Sequence, residues 1–437
     1  MDIKQKLDPS IDYSARQLTN SSLTHMKLVP LSGNQTTTTS PSSGTDVTFE
    51  IPVQGVNLAE SYFSCQVSIP AQGSGNYAWA HKGIVPWNSV QLYTRGGQYL
   101  LNIQERATDY SRIVGSCDTT DEELQHGDEL GGIYQSNDSK SLLGGEGAAG
   151  STAKPYWEQK YLEVGGDNAA LVFNIKYPMK YLKGTIFEVN KSVLFREVLV
   201  LKLKMASGAD IAYLGTSATN PDTGAATITG NITYSNVAFY CAQERNAAIV
   251  EGLSAQTSSD SGFTLFCPYP STFTNSRSGT DQNVTLRLNK SHGSSIKSIK
   301  NCVFGNTANN LRYDRDTAGG TKVISYYTNL NNNRLTEFDV SIANNDDWML
   351  HRQRFKDSPV YNRTIYRQNW VHVDGFENNA SKNEDGEEDT NCFGGLSTDQ
   401  EVRYDAYFTT NNATHRHFTI VHAQKVLNIN NRGIVFA

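Results

Sequence analysis

The segment Val193-Leu-Phe-Arg-Glu-Val-Leu-Val-Leu-Lys-Leu-Lys-Met205 decides the fold. In an extended chain Leu199, Leu201, Leu203 and Met205 fall on one side, and Lys202 and Lys204 on the other. That two-residue period belongs to a strand with one face buried and one wet. A polar run rich in Gly, Thr, Ser and Asn follows over Ala206–Gly230, and apolar strand character returns from Ile232 to Tyr240. One β-unit therefore closes at Met205 and a second opens after a connector. The C-terminus repeats the closing pattern with His417-Phe-Thr-Ile-Val-His-Ala-Gln-Lys-Val-Leu427 and Gly433-Ile-Val-Phe436.

Strand patterns extend in both directions. On the N-terminal side Val47, Phe49 and Ile51 alternate with Thr48 and Glu50, and Phe63, Cys65, Val67 and Ile69 with Ser64, Gln66 and Ser68. Ser89–Leu101 reads as two strands about an Arg95-Gly-Gly97 turn. Asn102–Cys117 changes to helical spacing, with Ile103, Tyr110, Ile113 and Val114 inward and Glu105, Arg106 and Asp109 outward. A capping-box pattern at Thr120 predicts a second short helix. Further strands are expected at Tyr161, Ala169–Tyr177 and Thr185–Val189. In the second half strands are expected at Phe263–Phe266, Val284–Leu288, Ile299–Phe304, Val323–Tyr327, Leu335–Ile342, Ile365–Val373 and Val402–Phe408. A helix is expected over Asn345–Phe355, with Asn345 as N-cap, Asp346 and Asp347 in the first turn and Arg352 and Arg354 near the end. Gln243–Leu253 reads equally as short helix or loop. Gly127–Ala153 and Phe376–Gly395 are long polar loops.

A chain of 437 residues exceeds one ordinary core and divides naturally into two domains. Strands, one amphipathic helix, a strand, a long loop and closing strands recur in the same order in each half. Regularly spaced antiparallel strands point to sandwiches, and eight strands with a helix in one connection fit a jelly roll. The predicted fold class is all-β: two tandem eight-stranded jelly-roll sandwiches, each with a short helix. The expected boundaries are an N-terminal arm over 1–46, a first jelly roll over 47–205, a linker over 206–230 and a second jelly roll over 231–437. The arm lacks strand periodicity. Its Gln35–Gly44 run reads as solvated and Leu28-Val-Pro-Leu31 as a small apolar anchor, so the arm reads equally as a disordered tail or as a segment that orders against a partner.

The formal net charge is −6, which argues against a broad electrostatic grip on nucleic acid. The sequence shows no apolar run of about 18 residues and no signal-peptide core at Met1-Asp-Ile-Lys-Gln-Lys6, so the chain is expected to stay inside the cell that makes it. The scattered cysteines Cys65, Cys117, Cys241, Cys267, Cys302 and Cys392 contain no CxxC pair and are expected to be reduced thiols. Asn190, Asn231, Asn283 and Asn412 head Asn-x-Ser/Thr triplets that a chain of this composition produces by chance, and no glycan is expected.

The acidic run Glu384–Asp389 does not match an EF-hand loop and reads as a solvated loop. His415 and His417 share a strand parity and His422 has the other, which leaves no third ligand for a metal. No nucleophile elbow, P-loop, HExxH or dinucleotide turn occurs. Catalytic, cofactor-binding and metal residues are therefore all expected to be none. Trp79, Trp87, Tyr156 and Trp157 could stack on sugars, and a carboxylate pair for glycosidic chemistry need not be close in sequence. A carbohydrate-binding or carbohydrate-active β-sandwich is the alternative reading.

Phe49-Glu-Ile-Pro-Val-Gln-Gly-Val-Asn-Leu-Ala-Glu-Ser-Tyr-Phe63, Trp87-Asn-Ser-Val-Gln-Leu-Tyr93, the helix over 102–115 and the restart Tyr234-Ser-Asn-Val-Ala-Phe-Tyr240 together resemble the double jelly-roll major capsid proteins, most nearly those of Polinton-like viruses and virophages. The resemblance covers about residues 47–437. It implies a structural viral protein without catalysis. It further implies a homotrimer of pseudo-hexagonal outline that tiles an icosahedral virion shell, often over an internal membrane. The partners implied are neighbouring capsomers and penton and minor capsid proteins, with assembly inside the host cell.

Overall fold

The computed structural model describes residues 22–73, 77–81, 85–118, 133–135, 161–165, 170–215, 226–305, 323–342, 371–376, 395–411 and 414–436. It contains two compact units, one built on Leu7–Leu265 with Asn428–Val435 and the other on Phe266–Leu427. Described strands are numbered along the chain.

In the first unit the larger sheet runs β1 (Leu23–Leu28), β15 (Ile232–Glu244), β4 (Gly55–Ile69), β10 (Leu171–Pro178), β8 (Ile133–Gln135). Two short strands join it: β2 (Thr37–Thr39) pairs β15 and β11 (Ser192–Leu194) pairs β4. The opposing sheet runs β3 (Asp46–Ile51), β12 (Leu199–Met205), β6 (Trp87–Thr94), β7 (Tyr99–Ile103). The stretch that decided the fold thus serves both sheets, with Val193 paired to Val56 in one and Leu201 between Phe49 and Leu92 in the other. Aromatic side chains meet between the sheets. Phe49 lies 6.1 Å from Phe239, and Trp87 lies edge-on to Phe63 at 5.0 Å and to Tyr177 at 5.5 Å. A small third sheet runs β14 (Ala226–Thr227), β13 (Ala212–Gly215), β5 (Tyr77–His81), β9 (Tyr161–Gly165).

The second unit repeats the two-sheet plan. One sheet runs β16 (Phe263–Ser278), β25 (Thr414–Asn430), β18 (Ser295–Gly305), β22 (His372–Gly375), with β23 (Leu396–Ser397) on β18 and β26 (Gly433–Phe436) on β25. The other runs β17 (Asp281–Leu288), β24 (Val402–Thr410), β19 (Val323–Leu330), β20 (Asn333–Arg334), with β21 (Val340–Ser341) on β19. Inward residues of both sheets, among them Leu286, Tyr404 and Phe408 facing Ile299, Val303 and Val421, form one apolar cluster. Asn331 and Asn332 adopt left-handed φ of 50° and 65° in the β19–β20 turn, a conformation that Asn tolerates and a two-residue hairpin needs.

Three described helices punctuate the strands: α1 (Ala107–Asp118), α2 (Gly208–Ile211) and α3 (Ala247–Ser258). The inward set Tyr110, Ile113 and Val114 of α1 is fully buried, as the helical period predicts. Ile103 instead ends β7. Asp109, expected outward, is buried and accepts a hydrogen bond from Arg106 at 2.6 Å. The ambiguous stretch after Gln243 resolves as α3, whose N-cap Asn246 accepts from the Ala248 N–H at 3.0 Å and whose Ile249, Leu253 and Thr257 point inward.

Several expectations are corrected. Ile232–Glu244 does not open the second unit, because it pairs with β4 along its length in the first. Alternation fixes which way a strand faces and leaves its partner open, so the pattern at Ile232 suits either unit. The 206–230 segment is accordingly not an inter-unit linker: its described parts, α2, β13 and β14, belong to the first unit. The 1–46 arm is partly sheet, since β1 pairs with β15 from Leu23 to Leu28 and β2 buries Thr39. Thr185–Val189 is a single 3-10 turn, capped where Thr185 Oγ1 accepts from the Phe187 N–H at 3.2 Å. Leu335–Ile342 is strand only at β21, and Leu335 and Phe338 are exposed. The 127–153 loop contains the edge strand β8. The expected helices at Thr120 and Asn345–Phe355, the Glu384–Asp389 run, Cys392, Tyr156 and Trp157 lie outside the described residues.

Candidate functional site

Among the described residues, those weighed for chemistry do not converge. His417 and His422 are both buried on opposite faces of β25, with His417 5.4 Å from the Phe408 ring. Burial, with Lys300 and Lys297 nearby, holds His422 well below the ordinary imidazole range, so it is neutral at physiological pH. Among the described residues no three His, Cys, Asp or Glu side chains are grouped to hold a metal ion. Cys65, Cys241, Cys267 and Cys302 are buried free thiols. Burial raises the Cys65 thiol and pushes Cys241 and Cys267 up to about 12, so these three stay protonated and unreactive. Trp87 is a core residue, 0% exposed, and cannot stack on a sugar.

A polar network that the sequence reading missed lies inside the second unit. Asn301 on β18 donates through Nδ2 to Tyr404 Oη at 3.0 Å and to His372 Nδ1 at 3.1 Å. Tyr404 on β24 donates to Asp374 Oδ2 at 2.8 Å, and Thr419 on β25 donates to Asn301 Oδ1 at 2.8 Å. With Nδ1 accepting, the His372 proton sits on Nε2, which faces Asp374 Oδ2 at 3.5 Å. A His–Asp pair of this kind orients a general base in many enzymes. Here both side chains are at most 5% exposed, and the Tyr326 ring, 4.5 Å away, covers the imidazole. The hydrogen bonds of this network tie one sheet to the other. The available signal was Asn301, a polar residue at the inward parity of Ile299 and Val303.

A hollow of about 320 Å³ opens on the other, outward face of β17, β24 and β19. Tyr327 and Tyr407, paired across β19 and β24, stack at 4.6 Å with planes 14° apart. Arg334 lies over the far side of Tyr327 at 4.1 Å and pairs with Asp339. Asn283, Ser325, Asp339 and Thr409 complete the polar wall. Sequence reading placed Val323–Tyr327 and Val402–Phe408 as strands and did not single out these tyrosines, since pairing register is not visible in alternation.

No family model and no curated protein sequence matches the chain. Solved structures do. The Faustovirus major capsid protein superposes with TM-score 0.58 at 10% identity, covering 96% of this chain and 92% of that one. The PBCV-1 virus capsid protein gives 0.55 at 11% identity, covering 97% and 98%. The mavirus major capsid protein gives 0.53 at 9% identity, covering 95% and 90%. The chain has the double jelly-roll fold of viral major capsid proteins. At these identities the likeness is one of fold, spread over nearly the full length of each chain. The structure has two units, each built on a pair of larger sheets. The inter-sheet aromatic contacts of the first and the Asn301–Tyr404 network of the second are what this sequence uses to close them.

Proposed function

We propose that this chain is a major capsid protein, a structural subunit of a viral shell. The observation that carries the reading is coverage: the fold likeness spans 96–97% of this chain and 92–98% of the capsid chains. The likeness to the double jelly roll therefore runs through nearly all of these 437 residues. In this reading three chains assemble about a three-fold axis, a closed symmetry that uses each contact surface once. Three chains contribute six jelly rolls, the number that a position of six-fold packing needs. The capsomers tile an icosahedral shell, and the protein resides in the virion after assembly in the host cell. Neighbouring capsomers, penton proteins and minor capsid proteins are the partners. The role asks for no catalytic residue.

The test is the oligomer. Multi-angle light scattering of the purified chain is expected to give a stable trimer, and negative-stain images a hexagonal projection. A monomer at micromolar concentration that never assembles would overturn the capsid reading in favour of a carbohydrate-binding sandwich.

A further inference from the structure

We propose that the hollow on the outward face of β17, β24 and β19 binds a neutral pyranose, one ring or two, as a surface glycan-recognition site of the protein. This goes beyond the shell-forming role and does not depend on it. The argument starts from strand order. β24 lies between β17 and β19, with Tyr407 in register with Tyr327 on one side and Asn283 on the other. Tyr407 stacks on Tyr327 at 4.6 Å, so its second face turns toward the exposed, short side chain of Asn283. Tyr327 is closed on its own second face by the Arg334 guanidinium at 4.1 Å. The stack is thus braced from one side and offers one aromatic face at the other.

The hollow runs along the stack, with Asn283 on the side of the open Tyr407 face, Ser325 and Thr409 paired next along the strands and Asp339 at the Arg334 end, so its polar lining is hydroxyl, amide and carboxylate. A pyranose is the ligand class that presents an apolar C–H face to a ring while its rim of hydroxyls both donates and accepts. Asn283 can do both, Ser325 and Thr409 likewise, and Asp339 accepts. Charge selects further. Arg334 and Asp339 neutralise each other, so the hollow has no net attraction for phosphate, sulfate or an acidic sugar. The side chains of Tyr326 and Phe408 point into the core, and the hollow is not an apolar groove suited to a helix or peptide. Its volume of about 320 Å³ lies at the small end of ligand pockets, roughly 300–1,000 Å³.

Saturation-transfer NMR on the purified protein would test this, with methyl glucoside, methyl galactoside, methyl mannoside and N-acetylglucosamine as separate probes. At least one probe is expected to receive saturation that a competing unlabelled excess displaces. Tyr407→Ala removes the stacking face and is expected to weaken binding about ten-fold. Because Tyr407 also packs on Tyr327, Asn283→Ala is the second variant: it is exposed, leaves the stack intact, and should weaken the same probe several-fold. Neither substitution should change the oligomer seen by light scattering. Absence of displaceable saturation with every probe overturns the site. So does undiminished binding by Asn283→Ala together with Tyr407→Ala, or a hollow found covered by a second copy in the assembled particle.

Discussion

At the scale of single residues the second unit is held by a hydroxyl. Tyr404 Oη accepts from Asn301 and donates to Asp374, and so connects β24 to both β18 and β22. Buried polar groups cost most when one partner is withdrawn, since the others have already left water. Tyr404→Phe keeps the ring volume and removes only the hydroxyl. It is expected to lower the unfolding free energy of this unit by about 1–3 kcal/mol, read as a lower urea midpoint at unchanged slope. A wild-type midpoint would show that the network contributes nothing to holding the sheets together. Lys425 has a comparable tension: burial lowers its pKa to about 8, while its ammonium sits 3.5 Å from the Tyr269 ring centroid and 5.0 Å from that of Phe436. The rings offset part of what the amine loses in hydration.

At the scale of elements, alternation was a sound guide to facing. Leu199, Leu201, Leu203 and Met205 are buried while Lys204 is exposed, and the Arg95-Gly-Gly97 turn joins β6 to β7 with Gly97 at φ 92°. What alternation could not supply was pairing. Leu23-Thr-His-Met-Lys-Leu28 looks irregular because only one of its faces meets the fold and it lies at a sheet edge, yet every residue of it is in register with β15. Glu244 fastens it, accepting from the Ser22 N–H at 2.9 Å, while Arg245 N donates back to Ser22 O at 2.8 Å. Thr37–Thr39 was hidden by a polar composition that a paired edge strand tolerates, with Thr39 Oγ1 donating to Ala206 O at 3.1 Å. Gly44 makes the same point sterically: a Cβ there would stand 2.1 Å from Met205 O, so the chain before β3 is packed and not loose. An N-terminal truncation that removes residues 1–40 therefore strips β1 and β2 and leaves the backbone groups of β15 unpaired along that edge. Such an edge recruits other chains. The expected outcome is insoluble or aggregated protein by size exclusion. A soluble oligomer with the full-length unfolding midpoint would return residues 22–40 to the status of a dispensable arm.

At the scale of the whole molecule, the two-unit plan was legible because each unit must close its own core, and strand patterns in both halves recorded that, while the helix expected over Asn345–Phe355 lies outside the described residues. The unit boundaries were not legible, because the chain does not finish one unit before starting the next. Asn428–Val435, the end of β25 and most of β26, groups with the first unit although both strands began in the sheet of the second. Gly262, at φ 66°, permits the approach: a Cβ there would meet Ile429 O at 2.6 Å. Asn431 donates to Asp260 at 2.5 Å, and Ile429 is 0% exposed. Residues 171 apart in sequence thus meet, which no local pattern can announce. Ile429→Ala in the full-length chain is expected to cost about 2–5 kcal/mol, the usual range for emptying a filled aliphatic position. The place where the loss appears is the more telling measurement. By hydrogen exchange, protection should fall at the amides of α3 and around Gly262 in the first unit, while β24, buried in the core of the second, keeps its own. If α3 retains full protection and β24 loses it, the C-terminal segment belongs energetically to the second unit and the exchange of chain between units is wrong.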